Sequence, residues 1–254
     1  MEPILSVHDL TKAFSRPGQS ELTAIDHISF DLLPGECLGI IGESGSGKST
    51  TVNLITRLLD ATAGTILLGG EDITHKKGRA LRKVYQKMQM VFQTPADSFD
   101  PRRTLGDGIG ESLRNGGMSR KETAAETARL LERCGLPASF SERYPHEISG
   151  GQCQRAAIAR ALAIRPKLLI CDEATSALDV TVQKEILELL NMLRREQDRA
   201  LSILFICHDI SLVQQFCDRV LVMYHGKIVE QGTPDEVICH PKNDYTKRLI
   251  DSVL

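Results

Sequence analysis

The sequence predicts an α/β fold in which a parallel sheet forms the core and a helical subdomain, at about residues 95–165, is inserted into it. Three observations support this prediction. Short, fully apolar strand-like runs alternate with helical segments in the last third of the chain, which is typical of a parallel sheet covered on both faces. The first third contains short strand-like runs. The middle is interrupted by Pro and Gly, and its periodic segments are helical.

The first third is expected to form an N-terminal antiparallel β subdomain. Residues 4–10 and 27–32 alternate loosely, and residues 64–70 form another β-like run that ends in two glycines. Residues 36–41 run apolar into Gly42, and a helix is expected to follow over residues 48–59. A buried strand that leads directly into a helix is the first unit expected of the parallel sheet.

The inserted subdomain carries two helix-start signals. Ser119 and Glu122 form a capping box, in which each side chain satisfies a free backbone N–H at the start of a helix. A second helix is expected over residues 152–164, after Ser149 and before Pro166, which cannot continue it.

The last third returns to alternating strands and helices. Strands are expected at residues 167–171, 202–207 and 220–224, and helices at 182–195 and 210–217. His225 and Gly226 then predict a hairpin turn into a strand at residues 227–230.

Composition and charge limit the expected cellular location and the expected classes of binding partner. The net charge of −2 gives no general attraction to nucleic acid or anionic lipid. No signal peptide is recognised, and no apolar run approaches the roughly 20 residues that span a bilayer. We therefore expect a cytoplasmic protein whose membrane role comes through partners. The seven cysteines include no CxxC pair, and several lie in apolar runs, so we expect buried reduced thiols.

The turn after residues 36–41 matches GxxxxGK[ST], the P-loop. The motif consists of Gly42, Glu43, Ser44, Gly45, Ser46, Gly47, Lys48 and Ser49. Its glycines let backbone N–H groups surround phosphate oxygens, Lys48 would reach the β- and γ-phosphates, and Ser49 would bind Mg²⁺. The alternative is a Gly-rich turn without a ligand, which the strand before it and the helix after it disfavour. The sequence thus predicts a P-loop NTPase with a RecA-like sheet.

Two carboxylates follow the next buried strand. Asp172 and Glu173 come directly after the apolar residues 168–171. Asp172 would hold Mg²⁺ through water, and Glu173 would act as the general base that polarises the attacking water. The alternative is a solvated acidic pair that caps the following helix.

Two more polar residues occupy equivalent positions. Gln93 follows the apolar run 88–92, and His208 follows the strand at 202–207. Because open α/β sheets bind ligands at the carboxyl ends of their strands, we expect these residues beside the P-loop. We favour a γ-phosphate contact for His208 over a helix-capping or core role.

A second anion-binding helix start is formed by Ser149, Gly150, Gly151 and Gln152. A Ser and two Gly leave several N–H groups uncovered. One nucleotide does not need two such cradles from one chain, so we expect this segment to cover the γ-phosphate held by another subunit. The alternative is an ordinary Ser-capped helix.

These motifs together resemble the nucleotide-binding subunit of an ATP-binding cassette (ABC) transporter. The P-loop resembles Walker A, residues 168–173 resemble Walker B with its catalytic glutamate, and residues 148–152 resemble the signature motif, with Ile148 where Leu is commoner. The resemblance covers nearly the whole chain in the family's order. It implies one nucleotide-binding domain over residues 1–254 that binds ATP and Mg²⁺ and hydrolyses ATP.

The resemblance also implies roles for individual residues. The Q-loop, D-loop and H-loop of the family are matched by Gln93, by Ser176 with Asp179, and by His208. The implied Mg²⁺ ligands are Ser49, Gln93 and Asp172, and Thr50 joins the ATP-binding residues. Phe14 stands where the family usually places an aromatic that stacks on adenine, although Tyr is commoner there; the alternative is simple packing.

A narrower resemblance concerns residues 91–102, 172–183 and 239–249, which look like the dipeptide, oligopeptide and nickel importer branch, the last through an HPxxxYT-type stretch. It implies uptake of a peptide or a nickel or other metal chelate. The implied partners are a second ATP-binding subunit, with a heterodimer favoured over a homodimer, transmembrane permease subunits and, indirectly, an extracytoplasmic solute-binding protein. It places the chain at the cytoplasmic face of the membrane.

Two other classes are less well supported. A non-transport ABC protein acting on nucleic acid or ribosomes usually carries two cassettes or long insertions, which this sequence lacks. A GTPase would need an NKxD-type guanine-reading motif, which is also missing.

Overall fold

The computed structural model describes residues 2–15, 22–174, 178–196 and 201–252, and this part of the chain contains ten strands and eight α-helices. The strands are β1 Leu5–Phe14, β2 Leu22–Leu32, β3 Cys37–Ile41, β4 Ala63–Leu68, β5 Glu71–Asp72, β6 Met88–Val91, β7 Leu168–Asp172, β8 Ser202–Ile206, β9 Arg219–Tyr224 and β10 Lys227–Gly232. The helices are α1 Lys48–Ile55, α2 Gly78–Lys87, α3 Leu105–Asn115, α4 Arg120–Arg133, α5 Gly150–Leu162, α6 Val180–Arg195, α7 Ile210–Phe216 and α8 Asp244–Asp251.

The strands form the two predicted sheets. One has the order β10-β9-β3-β8-β7-β6, and all its neighbouring strands are parallel except β10, which pairs antiparallel with β9. The other has the order β2-β1-β4-β5 and is antiparallel. The predicted combination of a parallel core with an N-terminal antiparallel subdomain is therefore confirmed.

Alternate residues of the parallel strands face two separate hydrophobic cores. Leu38 and Ile40 of β3 pack into one core, together with α1 and the antiparallel sheet. Cys37 and Ile41 of the same strand pack into the other, together with α3 to α8. Both faces of the sheet are covered, which explains why its strands are apolar throughout.

The helices α3, α4 and α5 lie in the chain between β6 and β7. The predicted capping box starts α4: Ser119 Oγ accepts from the N–H of Glu122 at 3.3 Å, and the Glu122 carboxylate accepts from the N–H of Ser119 at 2.9 Å. The apolar faces of α3, α4 and α5 belong to the same core as one face of the parallel sheet.

Some predicted boundaries are wrong. The helix predicted over 48–59 ends at Ile55, because Arg57 has a left-handed φ of 61° and Thr56 Oγ1 turns back to the Val52 carbonyl at 2.8 Å. The helix predicted over 152–164 is Gly150–Leu162, since Ser149 is its N-cap. Hydrophobic periodicity did not predict α2, α3 or α8. The exposed faces of α2 and α8 are strongly polar.

Six of the seven cysteines are buried and unpaired, as predicted, whereas Cys239 is exposed. Burial raises the pKa of Cys171 to about 12, so this thiol stays protonated at neutral pH. Within the described residues, none of the helices combines the length and the apolar character that a bilayer crossing requires.

Candidate nucleotide site

The P-loop connects β3 to α1 and depends on three glycines with positive φ. Gly42, Gly45 and Gly47 have φ of 149°, 80° and 110°. A Cβ on Gly42 would lie 2.3 Å from the Met223 carbonyl oxygen, and one on Gly47 would lie 2.8 Å from Ile25 Cδ1, whereas one on Gly45 would meet nothing within 4 Å. Gly42 and Gly47 therefore let the loop pack closely against the core, and Gly45 lies on its open side.

Lys48 is buried and folded back onto the loop. Its Nζ donates to the Gly42 carbonyl at 2.6 Å and to the Glu43 carbonyl at 2.9 Å. Burial lowers the pKa of Lys48, and the carboxylates of Glu173 and Asp172 partly offset this effect. The ammonium thus contacts the loop and feels the charge of the two acids, and its three protons allow it to contact a phosphate oxygen as well.

A cavity of about 750 Å³ opens in front of the loop, which is in the range of small-molecule and cofactor sites. Of the predicted residues outside the loop, Thr50, Glu173 and His208 line it. The other residues that line it carry no nucleotide-binding motif and were not predicted. They are Leu22, Thr23 and Ala24 of β2, His225 and Gly226 of the β9–β10 turn, and Leu249 and Ser252 at the C-terminal end of the described chain.

Glu173 has a left-handed backbone, with φ of 48°. Its N–H donates to the Ile206 carbonyl of β8 at 3.0 Å, so the strained residue is fixed to the neighbouring strand. A non-glycine residue in this region costs roughly 1–2 kcal/mol, and such strain is concentrated at functional sites. The strained backbone of Glu173 lies at the wall of the P-loop cavity.

Asp172 is the last residue of β7, and it does not itself line the cavity. Its Oδ1 is buried and has no hydrogen-bond partner among the described residues. Burial raises the pKa of Asp172, as does the nearby charge of Glu173, while Lys48 lowers it. An orphaned buried carboxylate oxygen of this kind fits a cation or a cation-bound water.

His208 is exposed at the cavity rather than buried in the core. The cap of α7 is its neighbour Asp209, whose Oδ1 accepts from the N–H groups of Ser211 at 2.9 Å and Leu212 at 3.3 Å. The capping and core alternatives for His208 are therefore wrong, and its imidazole is available to a ligand at the carboxyl end of β8.

Gln93 is not brought to the cavity. It follows β6, the edge strand, and three inter-strand steps separate β6 from β3 in the sheet. At ~4.8 Å per step these strands are roughly 14 Å apart. The sequence showed that Gln93 follows a strand but did not show where that strand lies in the sheet.

Ser149 and Gln152 form a reciprocal capping box at the start of α5. Ser149 Oγ accepts from the Gln152 N–H at 3.3 Å, and Gln152 Oε1 accepts from the Ser149 N–H at 3.0 Å. A Cβ on Gly151 would lie 2.5 Å from Val182 Cγ1, so this glycine allows α5 to approach α6. These residues do not line the P-loop cavity of their own chain.

Of the two predicted D-loop residues, Asp179 caps α6 by accepting from the Val182 N–H at 3.0 Å. Ser176 lies outside the described residues.

Phe14 is partly exposed and does not line the cavity; the Lys12 ammonium lies 5.1 Å from its ring centre. Its register partner on β2, Leu22, does line the cavity.

Comparison with known proteins agrees with this geometry. The sequence profile of the family described as "ABC transporter" matches residues 25–176. The chain is 47% identical over 258 residues to the "Peptidoglycan transport ATP-binding protein YejF" of Agrobacterium fabrum (strain C58 / ATCC 33970), covering 98% of this chain and 47% of that protein. It is 45% identical over 259 residues to the "Glutathione import ATP-binding protein GsiA" of Escherichia coli (strain K12), covering 99% and 41%. The chain spans less than half the length of these relatives.

Solved structures are similar over nearly the whole chain. The structure of cbiO1 from Clostridium perfringens, described as part of the ABC transporter complex cbiONQ, superposes with a TM-score of 0.84 at 28% identity, covering 94% of this chain and 92% of that one. The dimeric post-hydrolysis state of the ATP-binding cassette MJ0796, bound to ADP and Pi, gives 0.81 at 29% identity, covering 91% and 98%. The chain belongs to the ABC transporter family.

Proposed function

We propose that this chain binds and hydrolyses ATP as the nucleotide-binding subunit of an ABC importer, with residues 1–254 acting as one nucleotide-binding domain. The observation that carries the proposal is the meeting of Lys48, Glu173 and His208, from three neighbouring strand ends, at one cavity around the P-loop. Similarity to an ATP-binding cassette whose structure is described as bound to ADP and Pi supports the nucleotide.

Each residue has a chemical task in this proposal. The N–H groups of the loop other than that of Glu43, together with those of Ser49 and Thr50, bind phosphate oxygens, and the Lys48 ammonium neutralises the β- and γ-phosphates. Glu173 accepts a proton from the water that attacks the γ-phosphorus, and His208 holds a γ-phosphate oxygen. Phe14 stacks on adenine, and its position on the strand that pairs with the cavity-lining part of β2 supports this role.

Ser49 and Asp172 would hold Mg²⁺, which when bound neutralises charge on the transferred phosphoryl group. Gln93, which does not line the cavity in this structure, would join them only if the segment after β6 moved toward the P-loop. The orphaned Oδ1 of Asp172 supports this set. Within the described ranges, no cluster of three or more His, Cys, Asp or Glu side chains could hold a metal. The site therefore needs phosphate oxygens as well, which is usual for Mg²⁺ beside a nucleotide.

A second subunit would complete the site. Ser149, Gly150, Gly151 and Gln152 lie outside the cavity of their own chain. Leu178, which precedes the predicted D-loop residue Asp179, lies beside them, since a Cβ on Gly150 would lie 3.6 Å from it. Val180 beside them is 66% exposed. An exposed capped helix start next to an apolar residue supports dimerisation, and we favour a heterodimer over a homodimer.

Permease subunits would bind at a different surface. A groove of about 430 Å³ lies between the parallel sheet and the α3–α5 helices, and the exposed side chains of Leu58 and Phe92 line it. Exposed large apolar residues beside a groove are typical of protein interfaces. Phe92 immediately precedes Gln93, so nucleotide state could be relayed there. Docking would keep the chain at the cytoplasmic face of the membrane, with a solute-binding protein acting indirectly.

The cargo class rests on resemblance. Relatives named for peptidoglycan transport and glutathione import favour a peptide-type substrate, and the nickel or metal-chelate alternative rests on the branch resemblance alone. A role on nucleic acid or ribosomes gains no support, since the similar proteins described above are named for transport and import.

Two substitutions test the ATPase proposal. Glu173→Gln should lower phosphate release at least about 100-fold while ATP binding is retained, because only the general base is removed. Lys48→Ala should instead weaken ATP binding. The control is Glu142→Gln, the same change at an exposed glutamate in the inserted helical region. Turnover of Glu173→Gln at the wild-type rate would contradict the assignment of Glu173.

A further inference from the structure

The C-terminal segment, residues 240–252, is anchored beside the P-loop. The Glu230 carboxylate of β10 accepts from the N–H groups of Lys242 at 2.8 Å and Asn243 at 3.1 Å. Asn243 then caps α8, because its Oδ1 accepts from the Tyr245 N–H at 2.8 Å. The start of α8 is thus held in place on the β9–β10 hairpin.

Tyr245, in the first turn of α8, is only 5% exposed. Its ring stacks on Tyr224 at the end of β9, with ring centres 4.0 Å apart and planes at 28°. Its hydroxyl oxygen accepts a hydrogen bond from the Glu43 N–H of the P-loop at 3.1 Å. A buried, stacked side chain has little rotational freedom, so its hydroxyl is held at a defined position.

The Glu43 N–H belongs to the same peptide group as the Gly42 carbonyl, which accepts from Lys48 Nζ at 2.6 Å. No cis peptide bond occurs in the described chain, and in a trans peptide the N–H and the C=O point in opposite directions. The Gly42–Glu43 peptide is therefore held from both sides, by Tyr245 on one and by Lys48 on the other.

We propose that Tyr245 is a positioning residue for the nucleotide site: it fixes the Gly42–Glu43 peptide and, through that peptide, the position of the Lys48 ammonium. This inference rests on the proposed role of the P-loop. Leu249 and Ser252 at the end of the same segment line the cavity, so the segment contributes both to the wall of the site and to the orientation of its loop.

The proposal separates binding from chemistry. Without the Tyr245 hydroxyl, the peptide can rotate and Lys48 loses a fixed carbonyl, so phosphate binding weakens. Glu173 is attached to a different strand through its bond to Ile206, and the water-activating step should not change. A structural residue that merely stabilises the fold would not produce this split between KM and kcat.

The main test is Tyr245→Phe, which keeps the stacked ring and removes only the acceptor. The loss of one neutral hydrogen bond changes an equilibrium constant by a factor of roughly three to ten. KM for ATP should therefore rise about three- to tenfold, while kcat stays within about twofold. Tyr85→Phe is the matched control, because the Tyr85 hydroxyl donates to the Thr56 carbonyl at 3.1 Å outside the P-loop; it should leave both constants within about twofold. An unchanged KM for Tyr245→Phe, or a lower kcat at unchanged KM, would overturn the proposal.

A second variant tests the same bond from the other side. Glu43→Pro removes the N–H donor, and adding Tyr245→Phe to it should raise KM no further, whereas independent effects would multiply. If the effects of the two substitutions on KM multiply, the proposal is overturned. If Tyr245→Phe does not fold, Glu43→Pro alone is the test, and an unchanged KM in that variant overturns the proposal. If Lys48→Ala binds ATP like the wild type, the proposed nucleotide site is wrong. If Lys48→Ala loses binding while Tyr245→Phe keeps its KM, only the role of Tyr245 is wrong.

Discussion

Gly226 forms the turn between β9 and β10 and contacts the P-loop directly. Its N–H donates to the Ser46 carbonyl at 2.9 Å, and its own carbonyl accepts from the Asp26 N–H at 2.9 Å. Its φ is 77°, and a Cβ there would lie 2.5 Å from the Ala24 carbonyl oxygen. Gly226→Ala therefore combines a strained backbone with a clash against backbone that cannot easily move.

The expected loss of stability follows from the strained backbone and the weakened hydrogen bonds. Alanine in the left-handed region costs about 1–2 kcal/mol, and displacing the turn weakens two hydrogen bonds worth about 1 kcal/mol each. We expect Gly226→Ala to lower the free energy of unfolding by about 3–4 kcal/mol. At about 2–4 °C per kcal/mol for a chain of this size, Tm should fall by about 10 °C. ATP affinity should also fall severalfold, because the Ser46 carbonyl loses its fixed partner.

Gly69→Ala is the matched control. Gly69 also has a positive φ, 56°, but a Cβ there would meet nothing within 4 Å. It should show only the cost of the left-handed backbone, about 1–2 kcal/mol or about 2–8 °C in Tm, and unchanged ATP affinity. Thermal unfolding followed by circular dichroism, with and without ATP, measures both variants. Equal losses of Tm in the two variants would refute the argument from the Ala24 contact.

Two further predictions concern the signature helix and the thiols. Ser149→Ala and Ser119→Ala remove equivalent helix caps, so each should lower Tm by about 2–4 °C. Only Ser149→Ala should also reduce phosphate release by the assembled dimer. Equal phosphate release by the two variants would argue against a role of Ser149 in the partner's site. Cys239 is the exposed thiol, while burial raises the pKa of Cys134 and Cys207 to about 12, which lowers their thiolate fraction. A chromogenic thiol reagent at pH 8 should find one fast thiol, absent in Cys239→Ser, and all seven after unfolding; two or more fast thiols in the native protein would contradict the burial.

Local patterns were sufficient to predict much of the fold. Apolar runs that end in polar residues identified β3, β7 and β8, and each of these strands delivers a residue to the cavity edge, as expected for parallel strands. The capping box at Ser119 was also predicted, because it depends only on residues three apart, whereas the reciprocal box at Ser149 was found only in the structure. Boundaries failed where local backbone conformation intervened, as at Arg57.

The position of Gln93 shows what periodicity cannot determine. Its place after a strand is a local property, but its distance from the P-loop depends on the order of strands, which is set by how the helices between them cross the sheet. His208 shows the opposite case, since Asp209 takes the capping role and leaves the imidazole at the cavity.

By itself, the sequence determined which chemical groups the site contains: the loop glycines, Lys48, Asp172, Glu173 and His208 are contiguous with strand ends that hydrophobic patterning reveals. Only the tertiary structure decided what surrounds them. Tyr245 contacts Glu43 across 202 residues of chain, and Gly226 reaches Ser46 from a distant hairpin. Such contacts carry no local signal, because a hydrogen bond between remote segments depends on how the whole chain packs and not on the residues next to either partner.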